Sequence, residues 1–265
     1  MKIVTIATLK GGTGKTTIAF NMAGILAETK RVLIIDADPQ CNISSDVGVN
    51  IADQSLKTIR EIFNNKKTKP NEIIIKSPIE ELPNLDIIGS SIKLTATELQ
   101  LVSRAGRELI LQHYIEDNIE VFKEYDYIII DTNPSMGIVN QNAFYVADNI
   151  IIVSDVSFNG IQGAELFMYL WDEARKDLRK NDNISALVIN NYDKRIGLSQ
   201  ELKEYCTNKE AFKDILISST VPNSVKLKEA SLEHKPINVN PHYRKQLVCI
   251  AVRNIISELS ERGVL

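Results

Sequence analysis

The chain has 265 residues, 44% of them hydrophobic and 25% charged, with a formal net charge of −3. That balance suits an ordinary globular protein with a substantial core, and it excludes a disordered, collagen-like or strongly basic chain; any anion-binding surface has to be a local patch. Cys41, Cys206 and Cys249 are far apart with no C-x-x-C, which points to no zinc or disulfide framework, and no run approaches the roughly 18 apolar residues of a membrane span. The opening KIVTIA is too short for a signal-peptide core, so reduced thiols and a cytoplasmic setting are expected.

In chain order, KIVTIA (2–7) predicts a first strand, and a helix over 16–28 opens inside the following LKGGTGKTT (9–17). RVLIID (31–36) predicts the next strand. The stretch 50–84 is the least regular, and its polar NNKKTKPNE (64–72) reads as an exposed excursion within the domain. Strands then follow at LDIIGS (85–90), YDYIIID (125–131), NIIIVS (149–154), ISALVIN (184–190) and a short ILIS (215–218). Helices are expected over 93–119, 138–147, 160–179, 197–209, 224–231 and 243–262. Nearly continuous apolar strands suit a parallel sheet covered on both faces. The alternation predicts an α/β, doubly wound, mostly parallel central sheet flanked by helices, as one domain over 1–265. The chain starts directly at its first strand, so no N-terminal helix-turn-helix domain is expected.

LKGGTGKTT nearly matches the phosphate-loop pattern G-x-x-x-x-G-K-[ST], but Leu9 stands where the first glycine belongs and a second lysine, Lys10, follows it. Gly11, Gly12, Thr13 and Gly14 let backbone N–H groups turn inward onto phosphate oxygens, and the helix N-terminus adds partial positive charge. Lys15 would bridge the β- and γ-phosphates, the Thr16 hydroxyl would ligate Mg²⁺, and Thr17 continues the helix start. Asp131, at the end of an apolar strand, could hold the same Mg²⁺ through water; alone, such an aspartate is usually a turn or cap residue. In IIDADPQ (34–40), Asp36 and Asp38 alternate, so their side chains diverge, one able to face a metal and the other the γ-phosphate and its water. From spacing alone, Lys10 is equally a solvated charge at a strand end. Asn190 could read the edge of adenine or simply end a strand.

These stretches resemble one family. KGGTGKTT, DADPQ and YDYIIIDTNPS look like the deviant Walker A, A′ and Walker B motifs of the ParA/Soj partition ATPases, whose loop K-G-G-x-G-K-T accounts for Leu9. STVPNSVKLKEASLEHKPI (219–237) is similar to the family's V-I-P-R-N-V-R-L-S-E-A-P-S-x-G-K-P, so the resemblance reaches the C-terminal part of the chain. It implies a P-loop fold, ATP and ADP as ligands with Mg²⁺, and a nucleotide-sandwich homodimer in which Lys10 reaches the phosphates of the other subunit. It further implies Asp38 as the aspartate that orients water, Asp36 on the metal side, slow hydrolysis, and a ParB-type centromere-binding partner that stimulates it. Pro222 and Asn223 correspond to the base-contacting loop. Arg195 and Lys226 correspond to DNA-contacting arginines, and Lys228 adds to a locally basic C-terminal third suited to sequence-independent, nucleoid-associated DNA binding.

The chain departs from the family at Cys41, where D-P-Q-G-N has glycine, and at Thr132 and Asn133 after the strand aspartate. Two other classes compete. A MinD-like membrane-surface ATPase would end in a basic amphipathic helix, whereas RNIISELSERGVL reads as a core-packing helix, so no membrane is expected. A reductase like nitrogenase iron protein needs paired cysteines for an iron–sulfur cluster, and none of the three is placed to pair.

Overall fold

The computed structural model describes residues 1–64 and 67–265; Asn65 and Lys66, inside the polar 64–72 stretch, lie outside the described residues. Among the described residues eight strands are formed: β1 (Lys2–Ala7), β2 (Val32–Asp36), β3 (Ile74–Lys76), β4 (Leu85–Ile88), β5 (Tyr127–Asp131), β6 (Asn149–Asp155), β7 (Ile184–Tyr192) and β8 (Leu216–Pro222). They make one sheet in the order β3-β4-β2-β5-β1-β6-β7-β8. β3 runs antiparallel to β4, and every other pair is parallel. Eleven α-helices are described: α1 (Lys15–Leu26), α2 (Asn42–Asp46), α3 (Ile59–Asn64), α4 (Leu94–Leu101), α5 (Ile110–Asp117), α6 (Ile119–Phe122), α7 (Ile138–Val146), α8 (Phe158–Asp177), α9 (Gly197–Asn208), α10 (Val225–Leu232) and α11 (Leu247–Glu261).

Strand alternation divides the core between the two faces. Ile34 and Ile129 point to the side covered by α1 and α11, where Phe20, Met22, Val252 and Ile255 are buried. Their neighbours Ile35 and Ile130 point the other way, toward Leu111, Tyr114 and Phe122. Further along that face Phe144 meets Phe167 and Trp171 edge-on, with ring centroids 5.1 and 5.5 Å apart. Burying both faces explains why the strands are apolar at almost every position rather than at every second one.

Register places the chemistry. β1 lies between β5 and β6, so the loop that follows it opens at the point where connections leave in opposite directions, the usual ligand crevice of such sheets. Asp131 is level with Ile6 on β1 and with Asp36 on β2, which brings two carboxylates to one height beside the glycine loop. On the other side Asp155 ends β6 level with Asn190 on β7.

Three expectations need correction. The helix expected over 93–119 is broken into α4, α5 and α6: Gly106 takes a left-handed φ of 64° between α4 and α5, and Asn118, with φ −122° and ψ 28°, separates α5 from α6. The 50–84 stretch is not merely an exposed excursion: α3 buries Ile59, Ile62 and Phe63, and β3 extends the sheet by an antiparallel edge strand. Finally, β8 runs on to Pro222 and α11 begins only at Leu247, after a series of turns.

Candidate active site

The glycine loop has the geometry a phosphate requires. Gly12 and Gly14 have φ of 80° and 90°, and a Cβ on Gly14 would lie 2.1 Å from the Asn190 side-chain nitrogen, so only glycine fits there. That amide nitrogen donates to the Thr13 carbonyl at 2.7 Å, tying the loop to the end of β7. Asn190 is therefore first a brace for the loop, and its buried Oδ1 is left without a partner among the described residues. Lys15 opens α1 and is only 7% exposed. Burial pulls its pKa below the usual lysine range, while Asp131 and then Asp38 hold it up.

The three aspartates divide their work. The Asp131 carboxylate is fully buried, and neither oxygen meets a donor in hydrogen-bond geometry among the described residues. Burial, followed by the charge of Asp36, pushes it up to about 8; the nearby Thr16 hydroxyl and Lys15 oppose that shift. Asp36 is occupied by its own loop. Oδ2 accepts from the Ser44 amide at 3.1 Å and the Ser44 hydroxyl at 2.5 Å, and Oδ1 accepts from the Asp38 amide at 3.0 Å. Burial raises Asp36 to about 7. Asp38 keeps slight exposure, 5%, and accepts from the Gln40 amide at 2.8 Å.

Two orphaned buried carboxylate oxygens beside a threonine hydroxyl fit a cation. Among the described residues no group of three His, Cys, Asp or Glu side chains forms a complete cage. The site thus suits an ion that brings water or phosphate as most of its shell, as Mg²⁺ does.

The second lysine of the loop is turned elsewhere. Lys10 Nζ donates to both oxygens of Asp155, at 2.9 and 2.7 Å, and to the Ser157 hydroxyl at 2.8 Å. Ser157 also caps α8 by accepting from the Gly160 amide. The Gly163 backbone lies against Lys10: a Cβ there would come within 3.3 Å of the lysine Cβ. Asp155, Ser157 and Ser44 were not singled out by the sequence. The signal was a carboxylate ending the strand NIIIVSD, but its meaning depends on knowing that β6 neighbours β1.

A family model described as an AAA domain matches residues 1–186. The sporulation initiation inhibitor protein Soj of Bacillus subtilis is 31% identical over 241 residues, covering 89% of this chain and 90% of that protein.

The chain belongs to the ParA/Soj family of P-loop ATPases.

Two solved structures share the fold. A putative plasmid partition protein of Borrelia burgdorferi bound to AMPPNP superposes with a TM-score of 0.76 at 25% identity, over 98% of each chain. Apo McdA of Cyanothece shares the fold with a TM-score of 0.83 at 21% identity, over 98% of this chain and 99% of that one.

Against other ParA/Soj chains, the departures noted in the sequence have visible settings. Cys41 takes the left-handed φ of 57° where the family motif has glycine, and it is buried. Burial, followed by the charge of Asp36, pushes its thiol up to about 11, so it is an unreactive space-filler. Cys206 is likewise raised to about 11 by burial, and burial raises Cys249. All three are free thiols. Titration of the native protein with a disulfide reagent at pH 8 is expected to label none of the three quickly, and all three after denaturation; rapid native labelling would contradict this. After Asp131, the Thr132 hydroxyl donates to the Ile6 carbonyl at 2.8 Å. Asn140 on α7 then donates to the Asn133 carbonyl at 2.9 Å and to the Asn133 side-chain oxygen at 2.7 Å, fixing the loop that faces Gly11.

Pro222 and Asn223 line an open cleft of about 440 Å³ together with Tyr192, Arg195, Thr220 and Leu247. Asn190 sits on the glycine loop and is not among the residues lining this cleft. Arg195 and Lys226, matched to DNA contact, and the nearby-in-sequence Lys228 differ in state. Arg195 is 84% exposed and forms a two-pronged pair with Asp193, at 2.9 and 2.6 Å, which holds that carboxyl down at about 2. Lys226 pairs with Glu229 at 2.7 Å and lies over the Tyr243 ring. Lys228 is exposed and without an ion pair among the described residues.

Proposed function

We propose that this chain is a DNA-partition ATPase whose Mg²⁺-ATP form is a sandwich homodimer that binds DNA without sequence preference. Hydrolysis, slow on its own, is accelerated by a ParB-type centromere-binding partner and returns the subunits to solution. The observation that carries the reading is the division of labour between the loop lysines. Lys15 is buried beside Asp131 and Asp38, whereas Lys10 keeps a side chain 29% exposed, bonded to a neighbouring strand end rather than to its own loop. A cation so held can be given to a second triphosphate when another subunit supplies one, since two facing sites of about four negative charges each would otherwise repel.

In that arrangement the Gly11–Gly14 amides and Lys15 bind and orient the phosphates, and Thr16 and Asp131 would hold Mg²⁺, which neutralises charge on the phosphate oxygens. Asp38 orients the attacking water. Lys10 from the facing subunit stabilises the charge that develops on the leaving side. Asp36, saturated by Ser44 and the Asp38 amide, fixes the loop more than it offers a lone pair.

The test combines sedimentation with DNA binding. Sedimentation velocity is expected to give a monomer with ADP and a dimer with a slowly hydrolysed ATP analogue. Only the latter should bind random-sequence DNA, and no nucleotide state should pellet with liposomes, because α11 spends its apolar face on the core. The Arg195→Ala, Lys226→Ala double variant is expected to flatten the log–log salt dependence of binding by about two units, roughly 0.9 per lost phosphate contact. A single assembly state in all nucleotides, or an unchanged salt slope, would overturn the reading. A positioning ATPase of the McdA type would keep the same nucleotide cycle with another cargo; the exposed Lys228 and the neighbouring basic residues favour DNA.

A further inference from the structure

The aspartate loop and the basic helix are joined inside one subunit by a contact that has no part in catalysis. α2 begins just after Asp38 and is only five residues long. At its middle, Ser44 holds the Asp36 carboxylate through both its amide and its hydroxyl. At its end it meets the C-terminus of α10. The His234 ring bonds the Ser45 carbonyl at 2.8 Å; a carbonyl can only accept, so Nδ1 is the protonated nitrogen. The Ser231 hydroxyl donates to Asp46 at 3.3 Å, and the backbone of Gly48 lies against His234, where a Cβ would sit 3.7 Å from the histidine Cβ.

His234 reaches this position through an unusual backbone. Its φ is 55°, and its amide donates to the Ser231 carbonyl, while Lys235 donates to that of Ala230, a helix ending normally closed by glycine. The family's motif, E-A-P-S-x-G-K-P, has glycine there, where this chain reads EASLEHKP. At the other end of α2, Cys41 also holds a left-handed conformation, φ 57°, in place of a motif glycine. Two side chains thus accept left-handed geometry at the two ends of one pathway, and such outliers are retained where the surroundings over-determine them. Only the histidine has a side chain that crosses between elements.

We propose that the His234–Ser45 and Ser231–Asp46 contacts couple the aspartate loop to α10 within a subunit, so that nucleotide state is passed to the DNA-facing end directly as well as through dimerisation. α10 is a single rigid rod of eight residues, about 12 Å long at 1.5 Å per residue, with Lys226 and Lys228 in its first turn and the junction at its end. A shift of Asp36 and Asp38 around a γ-phosphate carries α2 with it through Ser44. α2 cannot move against α10 without breaking the junction, so α10 moves with it and its first turn swings at the base cleft beside Asn223. The DNA consequence rests on the function proposed above; the coupling itself does not.

The test uses His234→Gly, which removes the ring while relaxing the left-handed backbone, so the variant is expected to fold at least as well as the parent; Ser231→Ala is its companion. In the full-length parent, a slowly hydrolysed ATP analogue is expected to change amide exchange across 225–232 relative to ADP. In H234G that change is lost, nucleotide affinity and dimerisation stay within twofold, and the nucleotide-dependent gain in DNA affinity falls by about tenfold, within the usual range of coupling between sites. Ser231→Ala is expected to give a smaller change of the same sign. If H234G keeps the parental exchange difference, the coupling is wrong, whatever DNA does. If exchange behaves as stated but neither protein binds DNA, the coupling stands and the function proposed above fails.

Discussion

Lys10→Ala is expected to leave ADP affinity within about twofold of the parent, to abolish the ATP-dependent dimer, and to lower kcat by about 10²–10³-fold, the usual cost of losing one preorganised charge-stabilising donor. The residue is turned to Asp155 and Ser157, away from the buried Lys15, so nucleotide binding by the single subunit has little reason to change. Its loss is felt only where two triphosphates face each other. Asp155→Asn is the complementary change. In the free subunit Lys10 is bound to Asp155 and Ser157, with both charged side chains partly exposed, 29% and 21%. Such a pair contributes about 1 kcal/mol at most once solvent screening is counted. That contribution stabilises the open subunit, so removing it is expected to tighten dimerisation in ATP about threefold to fivefold without affecting the ADP form. Sedimentation equilibrium across protein concentrations reads both variants. A K10A protein that still dimerises, or a D155N protein that dimerises more weakly, would show that the lysine is not exchanged between a partner in its own subunit and one across the interface.

The parts of this site written in consecutive residues were legible before any coordinates. Glycines at 11, 12 and 14 with Lys15 and Thr16 specify a local backbone shape, and a strand ending in Asp131 specifies a carboxylate at a strand's C-terminal end, because each signal is contained within one strand-and-turn unit. What depends on strand order was not legible. Asp155 matters only because β6 neighbours β1, and Asn190 braces Thr13 only because β7 comes next. The same holds for the ends of helices: 93–119 is periodic enough to read as one helix, and it is broken at a left-handed Gly106 and again at Asn118. β3 was invisible because three residues on an edge, with only Ile74 buried, leave no recognisable alternation. The ion pairs that occupy Arg195 and Lys226 were likewise hidden, although Asp193 and Glu229 are only two and three residues away, since proximity in sequence does not say which rotamer a surface cation adopts.

Asp131→Asn is expected to stabilise the nucleotide-free protein while removing its activity. A fully buried carboxylate with two unpartnered oxygens beside Asp36 is held at a cost, which is why its pKa lies near 8. A folded-state pKa raised above the unfolded value of an acid means the folded form binds the extra proton. Stability is therefore fully present below the ordinary carboxylate range and is lost as pH climbs toward 8. Asparagine has the same shape and no charge to desolvate. The variant is expected to gain about 1–3 kcal/mol at pH 8, the usual cost of an unsatisfied buried polar group, or some 2–4 °C of melting temperature per kcal/mol in a chain of this size. The gain should shrink on going to pH 5, where the parent carboxyl is protonated. Hydrolysis should fall by at least about 100-fold, because the same two oxygens are those left free to hold the Mg²⁺ shell. Thermal unfolding with ATP, with and without Mg²⁺, separates the two roles. The parent should gain further stability from the metal and the variant should not. A variant that melts below the parent at pH 8, or that still gains from Mg²⁺, would mean that Asp131 is a structural residue whose oxygens are satisfied in some other way.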